Sequence, residues 1–437
     1  MKPSEWKASL FNPFSAMKNE LLISLIFFAL TVSAQPPQTF TQSSPENAGM
    51  SSKRLSTIDM MIQEYVSGGK IPGATALIIR NGKIVYHKSF GFSDIEKKTA
   101  LKNDDIFRIA SQSKAITSTA VMMLYEEGKF LLDEPVSKYI PEFANPKVLK
   151  TFNEKDSTYT TEPARSEITI RHLLTHTSGL DYPAIGSKEF QAIYAKAGIP
   201  SGIGNDKSRL GEKMKALGAL PLKHHPGEQW TYGLNSDLLG YLVEVWSGMS
   251  FNDFLQKRMF APLGIKDTYF YLPAEKHNRL VRLYQGTDTG VKKIDAKAYD
   301  DVDPNYPLLK GTYYSGGAGL SSSVIDYARF LQMYLNQGEF NNTRLLSRKT
   351  VELILTDQLT IPNSPEYGLA FGLETAENDK GSIVSIGTFQ WGGAFSTAYW
   401  ADPKEGLIGI LYTNVYQTRA WDIGERFKVL TYQAIID

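Results

Sequence analysis

Apolar positions recur along this chain in two rhythms, one of three to four residues and one of two, and their succession predicts its elements. From Ser52, read as an N-cap, Leu55, Ile58, Ile62 and Tyr65 fall on one helical face, and Gly68-Gly69 stops the helix. Two β-rich runs, 74–80 and 83–90, are joined by Asn81-Gly82, a pair that suits a two-residue hairpin turn because both residues tolerate positive φ. From Ala115 to Tyr125 no side chain is charged, and Ile116, Ala120, Met123 and Leu124 keep helical spacing, so a helix buried on most sides is expected there, ending at Glu126-Glu127-Gly128. Residues 145–167 are polar and mixed in charge and read as a surface excursion. Ile168 to Leu174 is a short amphipathic segment that runs into a turn-rich loop at 175–179.

Residues 183–228 have helical tendency but are broken by glycines and prolines, as a lid or a substrate-facing lobe would be. Leu238, Leu239, Leu242, Val243 and Trp246 mark a strong helix closed by Gly248, whereas 277–307 reads as loop. The run 315–320 is too glycine-rich for a helix and reads as a close crossing of backbones, followed by a helix from Val324 to Tyr334. A second hairpin, 396–401 with 407–414 about Asp402-Pro403, precedes a closing helix marked by Ile423, Phe427, Leu430 and Ala434. Hairpins near both ends of the chain, each beside a terminal helix and with no βαβ alternation, predict the α+β class: an antiparallel β-sheet flanked by helices, with a mostly helical second lobe. The expected catalytic domain covers 51–437, with an α/β lobe of about 51–110 and 311–437 and a helical lobe of about 111–310.

Composition narrows the picture without deciding it. With 437 residues, 42% of them hydrophobic, the chain can bury a large core, and a net charge of +1 gives no sign of a nucleic-acid partner. There is no cysteine, which excludes disulfides, thiolate metal sites and a cysteine nucleophile. The uncharged run from Leu21 to Val32 follows Met17-Lys18 and ends in Val32-Ser33-Ala34, so residues 1–34 are expected to be a cleaved export signal, with a polar leader at 35–50. The run is too short to span a bilayer. The mature protein is therefore expected in a periplasm or outside the cell, with no integral membrane segment after cleavage.

Candidate chemistry starts with the spacing S-x-x-K, which occurs four times: Ser4 to Lys7, Ser15 to Lys18, Ser67 to Lys70 and Ser111 to Lys114. Only Ser111 heads an apolar helix. A spacing of three puts hydroxyl and amine one turn apart on one face, so Lys114 can take the proton of Ser111, and the helix terminus offers free N–H groups to a developing oxyanion. Spacing alone favours the plainer reading, in which Ser111 is a helix cap and Lys114 a solvated first-turn residue. Other chemistries lack their patterns. There is no G-x-S-x-G, no H-E-x-x-H and no phosphate-cradling glycine loop; adjacent His224-His225 cannot aim at one metal, and His176 reads as a structural histidine in a turn. No metal and no cofactor are expected.

Ile71-Pro-Gly73, Ser111-Gln-Ser-Lys114, Leu173-Leu-Thr-His-Thr-Ser-Gly-Leu180, Pro226-Gly227 before Tyr232, Ala261-Pro-Leu-Gly264 and Gly316-Gly-Ala-Gly-Leu320 occur in this order. With them the chain, over about residues 50–435, resembles the serine β-lactamase and penicillin-binding protein superfamily, in particular the class C β-lactamase-like branch with its esterases and D-amino-acid peptidases. The resemblance implies Ser111 as nucleophile, Lys114 as its proton partner and Tyr232, from the family's Y-x-N, as general base or proton shuttle. It also implies an oxyanion hole from the backbone N–H groups of Ser111 and Ala394. Trp391-Gly392-Gly393 stands at the third motif, and the third place of Y-x-N is Leu234, with Asn235 next. Both departures occur in esterase-like members. Trp391, Gly392, Gly393, Asn235 and Arg419, the last as a possible substitute cation for a substrate carboxylate, are the expected substrate-binding residues. The implied protein is an exported serine hydrolase that works through an acyl-enzyme on a small-molecule ester or amide, or on a peptidoglycan-like substrate. A β-lactamase, a D-alanyl carboxypeptidase or D-aminopeptidase, and an inactive cell-wall-binding homologue remain the alternatives.

Overall fold

A computed structural model of the chain describes residues 38–204, 207–295 and 302–437; the expected signal over 1–34 and the first residues of the leader lie outside the described residues. An eight-stranded sheet organises the rest. Its order is Thr41–Gln42, Lys83–Asp94, Gly73–Arg80, Leu407–Tyr412, Thr397–Asp402, Phe389–Gly393 and Gly372–Leu373, with Thr99–Ala100 added beside Lys83–Asp94. The two expected hairpins meet in its centre, where Leu407–Tyr412 runs antiparallel to Gly73–Arg80. All pairs are antiparallel except the short strand Thr41–Gln42. At the first hairpin Asn81 and Gly82 have φ of 50° and 72°, the left-handed pair that a type I′ turn requires.

The helices, numbered in chain order, are α1 (Ser52–Ser67), α2 (Ser113–Glu126), α3 (Ile170–Leu174), α4 (Lys188–Lys196), α5 (Leu210–Gly218), α6 (Asn235–Ser247), α7 (Phe251–Phe254), α8 (Ala261–Leu263), α9 (Val324–Leu335), α10 (Arg348–Ile354) and α11 (Ile423–Tyr432). Helices α1 and α11 cover one face of the sheet, on Ala74, Ala76, Ile78, Trp400 and Leu411. The opposite face, with Leu77, Ile79, Tyr399, Ile408 and Ile410, joins a larger core that contains α2, α6 and α9. Every residue of Gly73–Arg80 is buried because both faces of that strand are covered, which is why it reads as a continuous apolar run and not as an alternation. The cap of α1 is Ser51, whose hydroxyl accepts from the N–H of Arg54, and Ser52 is the first helical residue.

Three stretches differ from expectation. Residues 145–167 form a hairpin of Lys147–Asn153 with Thr158–Pro163, largely exposed, in which the hydroxyls of Thr151 and Thr160 meet across the strands at 2.6 Å. Only Val148, with Leu149 and Phe152 partly buried beside it, packs on the core, and a backbone bridge from Val148 to Leu222 docks the hairpin, whose other positions rest on cross-strand pairing. Within 277–307 a second hairpin, Tyr284–Thr287 with Gly290–Lys293, pairs with Val415–Tyr416, so the middle of the chain is helical with two hairpins. The described part of the leader is not free: Thr41–Gln42 joins the sheet, and Ala48 and Met50 are buried. The two expected lobes share one apolar core, and the described residues form one compact unit.

The glycine run does make a close crossing. A Cβ on Gly316 would lie 2.2 Å from the carbonyl oxygen of Ser236 and 3.0 Å from Cγ2 of Thr117, so this segment threads between the starts of α6 and α2. Gly316→Ala is expected to destabilise the protein by about 1–3 kcal/mol, because neither backbone can yield without repacking the core. The measurement is the urea midpoint at unchanged slope; an unshifted midpoint would show that the crossing has slack.

Candidate active site

The strand Phe107–Arg108 leads into a single 3₁₀ turn at Ala110–Gln112, and α2 begins at Ser113. Ser111 therefore sits in that turn, one step before the helix proper. The turn is held from several sides: the N–H of Ile109 donates to Leu320 O at 3.1 Å, the Tyr327 hydroxyl donates to Gln112 O at 3.0 Å, and the Tyr412 hydroxyl donates to the Gln112 side chain at 2.6 Å. Ala110 has φ 43°, a left-handed conformation that a residue with a Cβ adopts only when its surroundings impose it. Below the turn, the buried guanidinium of Arg108 donates to Val281 O at 2.7 Å, to the Asn414 side chain at 3.3 Å and to Pro304 O. Burial pushes its pKa down to about 10, so it stays charged at neutral pH.

Lys114 is 1% exposed, and its amine meets three groups: Gly317 O at 2.7 Å, the Tyr182 hydroxyl at 3.0 Å and Ser111 Oγ at 3.3 Å. These can accept all three N–H bonds of an ammonium, and the contact with Ser111 is also the path by which an amine would take the hydroxyl proton. Tyr232 lies beside this group, its ring face 4.4 Å from Lys114 Nζ, and its hydroxyl accepts from the indole N–H of Trp391 at 3.3 Å. The lysine thus meets the ring of Tyr232 and bonds the hydroxyl of Tyr182. Rings of Trp230, His176, Tyr182 and Trp391 surround Tyr232 and fix its plane.

His176 is the structural residue its turn position predicted, and its role is specific. Burial, and after it the charge of Lys114, pushes its pKa well below the ordinary imidazole value, so the ring is neutral. Its Nδ1 then accepts from the Asn235 amide at 3.0 Å. That contact corrects the expectation for Asn235. The residue is fully buried at the start of α6, and its amide is shared between His176 and Ser178, so it frames the site and does not reach a substrate.

The other expected residues divide in the same way. Trp391, Gly392 and Gly393 end the strand Phe389–Gly393. A Cβ on Gly393 would stand 2.4 Å from Ile109 O and 2.2 Å from the Thr397 hydroxyl, so the backbone leading to Ala394 lies against the backbone leading to Ser111, where two converging N–H groups would be needed. The exposed guanidinium of Arg419 pairs with Asp288 at 2.8 Å, on the turn of the Tyr284–Lys293 hairpin, a surface ion pair that holds the side chain only weakly. The residues that sequence reasoning missed are Tyr182, two places beyond the Leu173–Leu180 phrase, and Gly317, inside the glycine run, whose carbonyl holds Lys114.

A family model described as Beta-lactamase matches residues 58–432. Esterase EstB of Burkholderia gladioli is 30% identical over 373 residues, covering 82% of this chain and 89% of that protein. A lovastatin esterase of Penicillium rubens is 31% identical over 385 residues, with 81% and 91% covered. Among solved structures, EstCE1, described as a hydrolase with promiscuous acyltransferase activity, superposes with a TM-score of 0.75 at 25% identity, over 88% of this chain and 99% of that one.

The contact of Lys114 with both Ser111 and Tyr232 implies that the three act as one unit. Ser111→Ala is expected to abolish labelling by a fluorophosphonate, with a loss of turnover that can reach about a millionfold for a coordinated nucleophile. Lys114→Ala and Tyr232→Phe are expected to be strongly non-additive in acylation rate, the double variant being little slower than the worse single one. Multiplicative losses in the double variant would show instead that the amine and the phenol work separately.

Proposed function

This chain belongs to the Beta-lactamase family and is a serine hydrolase, and from that premise we propose that it is an exported esterase acting on neutral carboxylic esters through an acyl-enzyme on Ser111. In this reading Lys114 acts from its neutral amine form: the Ser111 hydroxyl attacks the ester carbonyl carbon while its proton passes to that amine, directly or by way of Tyr232, and Lys114 becomes the ammonium. The carbonyl oxygen, now negative, is received by the N–H groups of Ser111 and Ala394. Collapse of the tetrahedral intermediate returns the proton to the departing alcohol, and a water molecule then repeats the sequence on the acyl-serine.

The observation that carries the ester reading is the Trp391 indole, which donates to Tyr232 at the place where the superfamily's K-T-G form offers a cation and a hydroxyl. Such a pair can hold the carboxylate of a β-lactam or of a terminal D-alanine, whereas an indole flanked by two glycines presents an aromatic wall. A hydrogen bond to a charged group is worth about 1.5–3 kcal/mol, so its loss disfavours anionic substrates by roughly ten- to a hundredfold in affinity. A neutral acyl chain forfeits nothing and gains apolar contact with the ring. Two relatives named as esterases support it further.

The test compares kcat/KM for p-nitrophenyl butyrate and for a chromogenic cephalosporin. The ester is expected to be favoured by at least about tenfold, consistent with the lost charged hydrogen bond. Efficient cephalosporin turnover that collapses in Arg419→Ala would show that the carboxylate site has moved to that arginine, and would make a β-lactamase the better reading. Export is checked separately, by fractionating cells and reading the mature N-terminus, expected after Ala34.

A further inference from the structure

A second buried ionisable group lies close to Lys114 and takes no part in the chemistry above. Asp237, in the first turn of α6, is 0% exposed, and neither of its carboxylate oxygens completes a hydrogen bond. The Ser315 hydroxyl and the N–H groups of Gly316 and Gly317 point toward it and ease its charge without closing such a bond. Its position is defined by two glycines. A Cβ on Gly317 would lie 3.0 Å from Asp237 Oδ2, 3.1 Å from the Tyr182 hydroxyl and 3.5 Å from Lys114 Nζ, so three polar groups converge on a point that only glycine leaves open. On the other side Gly202, with φ 94°, would bring a Cβ 3.1 Å from the same oxygen.

We propose that Asp237 is a positioning residue for Lys114, its buried negative charge holding the amine against Gly317, Tyr182 and Ser111 in the arrangement needed for proton transfer. The proposal rests on the assignment of Ser111 and Lys114 above. A carboxylate taken wholly out of water without a partner is strongly disfavoured, and evolution has an amide or an apolar side chain available for the same space. The cation that acts on Asp237 is Lys114, and Lys114 in turn has no carboxylate among its three hydrogen-bond partners. Each is therefore the counter-charge of the other across the backbone of Gly317, at a separation where a low local dielectric makes charge felt without contact. A carboxylate in direct contact would compete with Ser111 for the amine. One held back behind a glycine orients the amine and leaves its hydrogen bonds to the nucleophile.

Among the described residues, the titratable groups that face Asp237 are Lys114 from α2, Tyr182 from the segment after α3 and Tyr313 from the segment before Gly316; burial pushes Tyr313 well above the ordinary phenol range, so it does not titrate near neutrality. Burial also raises Asp237 to about 6, against the lowering effects of Ser315, Lys114, Gly317 and Gly316. Asp237 is therefore anionic above that pH and neutral below it. Because its folded-state pKa is raised, the stability it contributes is present below the ordinary carboxylate range and is lost as pH rises through about 6. At pH 7.5 the ionised side chain burdens the fold, and its replacement by an amide should relieve that burden.

The experiment is the pH dependence of kcat/KM for p-nitrophenyl butyrate in the native enzyme and in Asp237→Asn, with thermal unfolding of both at pH 7.5. The native enzyme should show an acid limb with its midpoint near 6. Asp237→Asn should lack that limb, run at least about tenfold slower on the plateau, as expected when a catalytic group is misplaced, and unfold at a temperature no lower than the native protein. A parallel profile in Asp237→Asn, or a lowered unfolding temperature with the limb retained, would make Asp237 a merely structural residue and overturn the proposal. Should the variant not fold, the assigned 13C carboxyl resonance of Asp237, kept apart from that of Asp105, which burial also raises to about 6, is followed in the native enzyme and in Lys114→Met. Removal of the Lys114 charge should move that midpoint upward, and an unmoved midpoint is equally fatal. Fluorophosphonate labelling of Ser111 in the native enzyme tests the underlying assignment independently, so the two failures are distinguishable.

Discussion

The structure depends on the placement of one amine. Lys114 lies in a helix whose residues 113–124 are all buried, where an ammonium without acceptors would be intolerable. Its acceptors come from three separate parts of the chain: Ser111 one turn earlier, Tyr182 beyond α3, and the carbonyl of Gly317. To supply them, the Leu173–Tyr182 segment and the glycine run must both be drawn against the start of α2. That requirement explains the close backbone contacts nearby. Gly316 passes against Ser236, Gly233 against Leu180, and Gly393 against Ile109, each at a distance that excludes a Cβ. The glycines are consequences of packing three chain segments about one buried nitrogen.

Much of this was legible in the sequence, and the parts that were not have physical reasons. The helices and the two central hairpins announce themselves because each buries a face or a whole strand, which leaves a period in the apolar positions. Ser111 and Lys114 were legible because their spacing coincides with a turn at the head of an apolar helix, and Tyr232, Ala394 and Trp391 through the ordered phrases of a family. The hairpin at 147–163 is mostly exposed and a register shift between Leu149 and Thr151 breaks its few apolar positions, and the short hairpin at 284–293 was concealed by glycines and charges. Tyr182 and Asp237 were missed for another reason. Neither belongs to a local pattern, and their importance lies entirely in convergence on Gly317, which only the folded chain shows. Asn235 was singled out on its place beside a motif and is corrected by what its side chain bonds, whereas Arg419 was singled out as a cation just after the last strand and pairs at the surface with Asp288.

The aromatic surroundings of Tyr232 give the site its shape and also bear on its selectivity. His176, held neutral by burial, can pack against the phenol and accept from Asn235 without adding a charge, so the Tyr232 wall stays uncharged apart from the Lys114 amine. Tyr367 meets both His176 and Trp391 edge to face and ties the Leu173–Leu180 segment to the strand that carries Gly392 and Gly393. The Trp391 indole is consequently an anchored element of the cleft, fixed through Tyr367 and Tyr232.

Several features of the site oppose folding: a left-handed Ala110 next to Ser111, a left-handed His176, a buried amine and a buried carboxylate. Strain of this kind amounts to about 1–3 kcal/mol at each backbone position and persists only where the surroundings over-determine it. Here the surroundings are the sheet, covered on both faces, whose central strands Gly73–Arg80 and Leu407–Tyr412 are wholly buried. From that sheet Tyr412 reaches Gln112, and from α9, packed on the same sheet, Tyr327 reaches the carbonyl of the same residue. These two phenols clamp the residue that follows Ser111 to the most stable part of the molecule. Local opening near the active site would require those bonds to break, so the strained turn shares the cooperativity of the sheet. The size of the core and the precise placement of Ser111 are in this sense a single property: a smaller sheet could still carry the same side chains, but it could not hold Ala110 and Ser111 in a conformation that the chain would otherwise leave.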